Sequence, residues 1–274
     1  MPEMPEVETL ARMLKTAVVG KRISEVQVSG LSLRKPISDL FAASLGGRAI
    51  REVVRRGKYL ILELEPKAFW IIHLGMSGRL LYRSTAQAMV RHVHAMVRFA
   101  DSTCLVYRDP RRFGLLAVYE VPHSGHIPEL RALGKDPLSR GFHGRWFWPL
   151  LQKSRQDIKS FLLDQRKVAG LGNIYVCEAL FLARIHPARR CRTLTCEETA
   201  RLVRSIRAVL RLAIHNHGTS FSDFLDSNGR PGKNQKYLKV FQREQQRCVR
   251  CRSCIKRMRQ GNRSTFYCPE CQRI

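Results

Sequence analysis

Acidic residues are scarce in this sequence. Against 49 Lys and Arg stand 22 Asp and Glu, which leaves a formal charge of +27 over 274 residues with histidine neutral. A surplus of that size exceeds what solubility requires and implies a polyanionic partner, since phosphate backbones and anionic membranes both release counterions to well-placed basic side chains. Long apolar runs are missing too. None approaches the roughly 20 residues that span a bilayer, and no basic region leads into an apolar stretch at the N-terminus, so neither a transmembrane helix nor a secretory leader is expected. Nucleic acid is then the expected polyanion. No internal repeat or low-complexity tract occurs. The length suits two compact domains, or one large domain with a small appendage, and two are expected.

Cysteine is present but uneven. The count of nine is odd, and five lie between Cys248 and Cys271. In a chain expected to stay in a reducing compartment this points to metal rather than disulfides. Cys104, Cys177, Cys191 and Cys196 are scattered and read as small buried or half-buried hydrophobes.

After Pro5, Val7, Leu10, Leu14 and Val18 recur at three- and four-residue intervals and Gly20 follows, which predicts an amphipathic helix with a C-terminal stop. From Arg22 to about Val121 the pattern shortens to period two, as in Val93, Ala95, Val97 and Phe99 and in the runs 58–64 and 115–121. That predicts a β-sandwich or barrel. The Pro- and Gly-containing stretch 122–137 reads as a linker or hinge. Beyond it the spacing predicts helices around Ile158–Leu162, Ile174–Phe181 and Leu202–Ala213, the last with a capping box from Thr195 and Glu198 and Gly218 as its stop. From Gly218 to Arg247 the chain reads as a loop whose one strand-like run is Tyr237, Leu238, Val240 and Phe241.

Cys248 and Cys251 form one CxxC and Cys268 and Cys271 another, with sixteen residues between the pairs. Two such knuckles supply four thiolates to one tetrahedral zinc, and four soft ligands leave no open position, so the expected role is structural. Cys251 and Cys254 form a further CxxC, and spacing alone leaves that register open. Residues 247–274 hold eight Lys or Arg and one Glu. Arg263 falls near the expected turn between two strands, where it can insert between phosphates.

Met1 precedes Pro2, whose small side chain permits removal of the initiator and exposure of a secondary amine. An α-amine with a pKa near 8 is nucleophilic in appreciable fraction at neutral pH. Condensation with an aldehyde gives an iminium ion, an electron sink that acidifies the neighbouring carbon of a sugar and favours loss of its 3′ phosphate. Glu3 beside this amine has the geometry of a general acid.

The order of these signals resembles the formamidopyrimidine-DNA glycosylase family, bacterial enzymes that excise oxidised purines. The resemblance rests on six blocks spread over nearly the whole chain: Pro2–Glu8, Arg56–Leu60, His73–Gly78, Asp109–Gly114, Gly170–Tyr175 and the ribbon through Arg263–Cys268. It implies that Pro2 is a Schiff-base nucleophile, Glu3 the proton donor, and Lys58 a catalytic-site lysine touching the phosphate beside the lesion. Met76, Arg111 and Phe113 match residues that fill the gap left by a flipped nucleotide, Arg111 facing the orphaned base and Phe113 wedged into the stack, which offsets part of the unstacking cost. His92 matches a DNA-contacting histidine. Asn173 falls in the family's helix-two-turn-helix and binds phosphate there, behind Gly170 and Gly172, which permit close backbone approach. Arg263 matches a phosphate-contacting arginine. Glu6 and Glu178 match carboxylates that support the active site. The chain departs from the family pattern at His217, often glycine, at Cys254, and in Val240-Phe241-Gln242-Arg243.

The expected fold is α+β and multidomain. A β-sandwich with an N-terminal helix spans 1–121, a linker 122–137, a helical helix-two-turn-helix domain with a lesion-recognition loop 138–242, and a β-hairpin zinc ribbon 243–274. The expected activity is a bifunctional glycosylase and abasic-site lyase acting by β,δ-elimination, with one structural Zn²⁺. Its expected partner is double-stranded DNA bearing oxidised bases or abasic sites, met as a monomer in the bacterial cytoplasm on the nucleoid. Two rival readings stand beside it: an endonuclease VIII-like enzyme for oxidised pyrimidines, against which 4–8 and the long loop argue, and a DNA-binding protein that has lost chemistry.

Overall fold

Pro5 sits in an opening helical turn, where a missing N–H costs nothing. In the computed structural model, which describes residues 1–85, 89–221 and 224–274, helix α1 spans Met4–Val18 and buries Val7, Leu10, Leu14 and Val18, as its spacing predicts. There follow β1 (Ile23–Val28), the short α2 (Phe41–Leu45), β2 (Ala49–Arg56), β3 (Tyr59–Glu65), β4 (Ala68–His73), β5 (Arg79–Arg83), β6 (Val93–Phe99), β7 (Cys104–Arg108) and β8 (Leu115–Tyr119). They form two antiparallel sheets, ordered β1-β6-β7-β5 and β2-β3-β4-β8. Alternate residues of both sheets share one core: Leu60, Leu62 and Leu64 of β3 and Trp70 and Ile72 of β4 cluster with Ala95, Val97 and Phe99 of β6 and with α1. The period-two segments therefore face inward on one side, and the sandwich expectation holds.

The expected linker contains a 3₁₀ turn, Ser124–His126, and a short helix, α3 (Pro128–Arg131). Helices α4 (Gly144–Gln152), α5 (Ile158–Leu163), α6 (Asn173–Ala183) and α7 (Cys196–His215) follow, and a hairpin of β9 (Lys256–Gln260) and β10 (Arg263–Tyr267) closes the chain. The predicted capping box of α7 is present, with the Thr195 N–H donating to Glu198 at 2.9 Å and the Glu198 N–H to the Thr195 hydroxyl at 3.1 Å. Among the described residues no helix is long and apolar enough to cross a membrane.

The chain divides into two compact units, 1–131 with 214–235, and 132–213 with 236–274. The expected helical domain, 138–242, differs from this division over 214–235. That segment belongs with the sandwich because its backbone bonds there: the Thr219 N–H donates to Glu6, and the Ser227 carbonyl accepts from Tyr82 of β5 at 2.8 Å. The strand-like run at 237–241 forms no strand. A 3₁₀ turn occupies Asn234–Tyr237, and the amides of Lys239, Val240 and Phe241 all donate to one carboxylate instead of a ladder. Of the four scattered cysteines, Cys104, Cys177 and Cys191 are buried as expected, while Cys196, the first residue of α7, is exposed.

Candidate active site and nucleic-acid interface

Pro2 is buried and Met1 before it is exposed. Glu3 is the N-cap of α1, and its side chain accepts the backbone N–H of Glu6 while the Glu6 side chain accepts the N–H of Glu3 at 2.8 Å. This is a capping box, which satisfies two orphan donors of the helix start reciprocally. It also fixes two buried carboxyl groups next to Pro2. The second Glu6 oxygen accepts the N–H of Thr219 at 2.7 Å, so Glu6 ties the first turn of α1 to the returning segment.

Lys58 is buried in the turn between β2 and β3. Arg55 holds this turn to α1. Its guanidinium donates to Glu8 of α1 at 2.8 Å and to the carbonyl of Gly57 at 3.1 Å. Burial raises the Glu8 pKa, but the hydrogen bonds and charges of Arg55 and Arg12 outweigh it and leave the carboxyl below its usual range. His73, at the end of β4, accepts the Gly75 N–H on Nδ1 at 3.0 Å. Burial, then the charges of Arg34 and Lys58, depress its pKa to about 3, so it is neutral at physiological pH.

Met76 and Phe113 are large apolar side chains left exposed, at 38% and 45%. Each sits on a loop beside a sheet end, Met76 after β4 and Phe113 before β8. Arg111 is exposed with its guanidinium 4.9 Å from the Phe113 ring centroid, a cation–π pair that keeps the planar cation against the ring. His92 is half-buried just before β6 in a left-handed conformation, φ 71°. Partial desolvation, then Arg91 and Arg108, hold its imidazole below the usual value. Such a group of exposed wedges and cations suits entry into a base stack.

In the second unit, Asn173 is the first residue of α6 behind the N-cap Gly172, and its amide donates to the carbonyl of Ser264 on β10 at 2.9 Å. Arg263, the first residue of β10, is exposed beside Ser264. The Asn173 amide is thus bonded to the residue that follows Arg263. Lys159 of α5 completes the junction, and sequence reasoning missed it: its buried ammonium donates to the same Ser264 carbonyl at 3.2 Å and to the Thr265 hydroxyl at 2.5 Å. A lysine in the first turn of a helix reads as surface charge, and only its place between Ile158 and Phe161 hinted at burial. Glu178 of α6 is the carboxylate that accepts the amides of Lys239, Val240 and Phe241 at 2.8, 2.9 and 2.9 Å. Burial nonetheless raises its pKa.

The sulfur atoms of Cys248, Cys251, Cys268 and Cys271 lie within 4.8 Å of one another. Zn–S bonds of about 2.3 Å in a tetrahedron place sulfurs about 3.8 Å apart, so the four thiols fit a closed zinc site. Cys248–Cys271 and Cys251–Cys268 approach to 3.9 and 3.4 Å. Cys254 is exposed and outside the group, which fixes the register that spacing left open. Cys248 and Cys268 also pack with Ile255 and Phe266 of the ribbon and with Cys177 and Phe181 of α6.

Comparison with known proteins finds three family models along the chain. Residues 1–116 match the formamidopyrimidine-DNA glycosylase N-terminal domain, 133–224 the formamidopyrimidine-DNA glycosylase H2TH domain, and 245–274 the zinc finger found in FPG and IleRS. The chain is 41% identical over 273 residues to the formamidopyrimidine-DNA glycosylase of Thioalkalivibrio sulfidiphilus, covering all of both chains. Among solved structures, a Lactococcus lactis FPG mutant in complex with Fapy-dG containing DNA is similar with a TM-score of 0.91 and 33% identity, with full coverage of both chains. The Lactococcus lactis Fpg in complex with abasic-site DNA is similar with a TM-score of 0.90 and 33% identity, covering 99% of this chain and 100% of that one.

Proposed function

The chain belongs to the formamidopyrimidine-DNA glycosylase family, and from that premise we propose that the amine of Pro2, freed of Met1, is the nucleophile with which it works. The protein is an oxidised-purine DNA glycosylase of base excision repair with abasic-site lyase activity, and it carries one structural zinc. The observation that carries the residue assignment is the capping box that buries Glu3 and Glu6 beside Pro2.

The damaged nucleotide is extruded from the helix, and the Pro2 nitrogen attacks C1′ as the bond from C1′ to the base breaks. Glu3 donates a proton to the departing base or to the sugar ring oxygen, and ring opening leaves an iminium ion between Pro2 and C1′. Loss of a C2′ proton then expels the 3′ phosphate, a second elimination expels the 5′ phosphate, and hydrolysis of the iminium releases the amine. Lys58 holds the phosphate beside the lesion. Met76, Arg111 and Phe113 fill the gap, His92, Asn173 and Arg263 grip the backbone, and Glu6 and Glu178 hold the surrounding chain. In this reading 1–121 carries the chemistry, 122–137 is the linker, 138–242 carries the helix-two-turn-helix and the lesion-recognition loop, and the ribbon, 243–274, grips phosphate. The enzyme acts as a monomer in the cytoplasm, on nucleoid DNA.

Borohydride added during turnover should trap a protein–DNA adduct that peptide mapping places on Pro2. A protein that retains Met1 should form none, because its proline nitrogen is an amide. Glu3→Gln should lose base excision while still cleaving a preformed abasic site. Mapping of the adduct to Lys58, or normal turnover with Met1 retained, would overturn the assignment of Pro2.

A further inference from the structure

Four residues proposed to touch DNA from the first unit, Met76, His92, Arg111 and Phe113, come from three separate segments. One residue bonds to all three. Asp109 is fully buried at the end of β7. Its Oδ1 accepts the Ser77 hydroxyl at 2.6 Å, and its Oδ2 accepts the Gly114 N–H at 2.8 Å, with the Tyr107 hydroxyl 3.5 Å from the same oxygen. Its own N–H donates to the carbonyl of His92 at 2.9 Å, and its carbonyl lies 3.0 Å from Nε2 of the buried His94. The Ser77 hydroxyl oxygen accepts in turn the N–H of Arg111 at 3.2 Å.

The Met76 and Phe113 loops also touch backbone to backbone. A Cβ built on Gly75 would lie 2.4 Å from the carbonyl carbon of Phe113 and 2.6 Å from the nitrogen of Gly114. No side chain fits between them. The carboxylate is therefore enclosed, with donors from both loops on its two oxygens.

We propose that Asp109 is a positioning residue that fuses the Met76 loop, the His92 turn and the Arg111–Phe113 loop into one wedge assembled before DNA arrives. The inference rests on the DNA-contact reading above and names what holds those contacts in place. Side chains that must enter a stack against the cost of unstacking gain most from loops that lose no freedom on insertion. Asp109 touches neither lesion nor phosphate in this arrangement. Its effect falls on steps that need the gap filled, and not on the chemistry at C1′.

The test compares excision of one oxidised purine, 8-oxoguanine, from a paired duplex and from a single strand, where no partner base is orphaned and no gap opens. Asp109→Ala removes the hub. Ser77→Ala is the gentler variant, since it keeps the Asp109 bonds to Gly114 and to the His92 carbonyl and removes the Ser77 bond to Asp109 together with the acceptor for the Arg111 N–H. In single-turnover assays each should lower duplex excision by about tenfold, the worth of one charge-assisted hydrogen bond. Each should change the single-strand rate far less, and 2-aminopurine placed opposite the lesion should report slower unstacking. A general structural defect would lower both rates together, and thermal melting identifies an unfolded Asp109→Ala, in which case Ser77→Ala decides. Arg111→Ala and Phe113→Ala serve as references. If these lose the duplex rate while folded Asp109→Ala and Ser77→Ala keep it, the inference is overturned and the contact reading stands. If the references keep it too, the contact reading fails and takes the inference with it.

Discussion

The backbone N–H of Thr219 donates to Oε1 of Glu6 at 2.7 Å across 213 positions of sequence. The other oxygen of the same carboxylate accepts the N–H of Glu3 at 2.8 Å. Both oxygens thus face donors, and an amide in that place would turn an –NH₂ toward one of them. Glu6→Gln is expected to destabilise the protein by about 1–3 kcal/mol, the cost of leaving one buried donor without an acceptor. Lesion excision should fall with it, since Glu3 and the returning segment lose a shared anchor. Urea unfolding of both proteins checks this, and an unchanged midpoint would mean that Glu6 anchors nothing.

Purified protein should contain about one zinc per chain, retained in Cys254→Ser and lost in Cys248→Ser. Elemental analysis of the three proteins reads this directly. Chelation should weaken DNA binding more than it lowers the melting of the first unit, whose core contains none of the ligands. Zinc lost from Cys254→Ser but kept in Cys248→Ser would refute the ligand set.

Arg263→Ala should lower the slope of log affinity against log salt by about one, and weaken damaged and undamaged duplexes alike, as the loss of a single phosphate contact predicts. Arg111→Ala should instead alter the preference for the base opposite the lesion. Binding isotherms across a salt series, on duplexes differing only in that base, separate the two. Equal effects of both variants on every duplex would erase the distinction.

His73 makes stability depend on pH. Its folded pKa of about 3 lies below the ordinary histidine value of about 6.5, so between the two the unfolded chain binds a proton that the folded chain refuses. The stabilisation is complete above about pH 6.5 and declines as pH falls toward the folded value, by roughly 1 kcal/mol per pH unit. His73→Asn, which keeps an acceptor for the Gly75 N–H, should flatten the profile by that amount between about pH 6.5 and pH 4.5. Parallel profiles for the two proteins would show that the neutral ring is not enforced by the fold.

Much of the architecture was legible because each long element shows one face to one core. The intervals of Val7, Leu10, Leu14 and Val18 and the alternation of Val93–Phe99 are direct records of that packing. Helix α4 left no such record: it is nine residues long, carries Pro149 inside, and buries only Phe147 and Leu151. The misread strand at 237–241 has a different cause. Its residues have strand propensity, but a carboxylate some sixty positions earlier takes their amides, and no local pattern announces that. Within the site, the thiols were readable from their spacing, whereas Met76, Arg111 and Phe113 were readable only through the family resemblance, because an exposed apolar side chain looks like a core one in sequence. The roles of Asp109 and Lys159 leave no local trace in the sequence, because each acts through partners remote along the chain, Ser77 on another loop and Ser264 on the ribbon.

The division of the chain sets a timetable for its biosynthesis. Neither unit is a continuous stretch: the first needs residues 214–235 and the second needs 236–274. As the ribosome delivers the chain from its N-terminus, the sandwich sheets can pair early, yet the Glu6 carboxylate waits for Thr219 and the Tyr82 amide for Ser227 until four-fifths of the protein has been made. A nascent chain arrested or clipped before that point holds the proposed nucleophile without its anchor. Premature termination before Thr219 should therefore yield a sandwich whose Glu6 carboxylate and Tyr82 amide lack the bonds that the returning segment supplies.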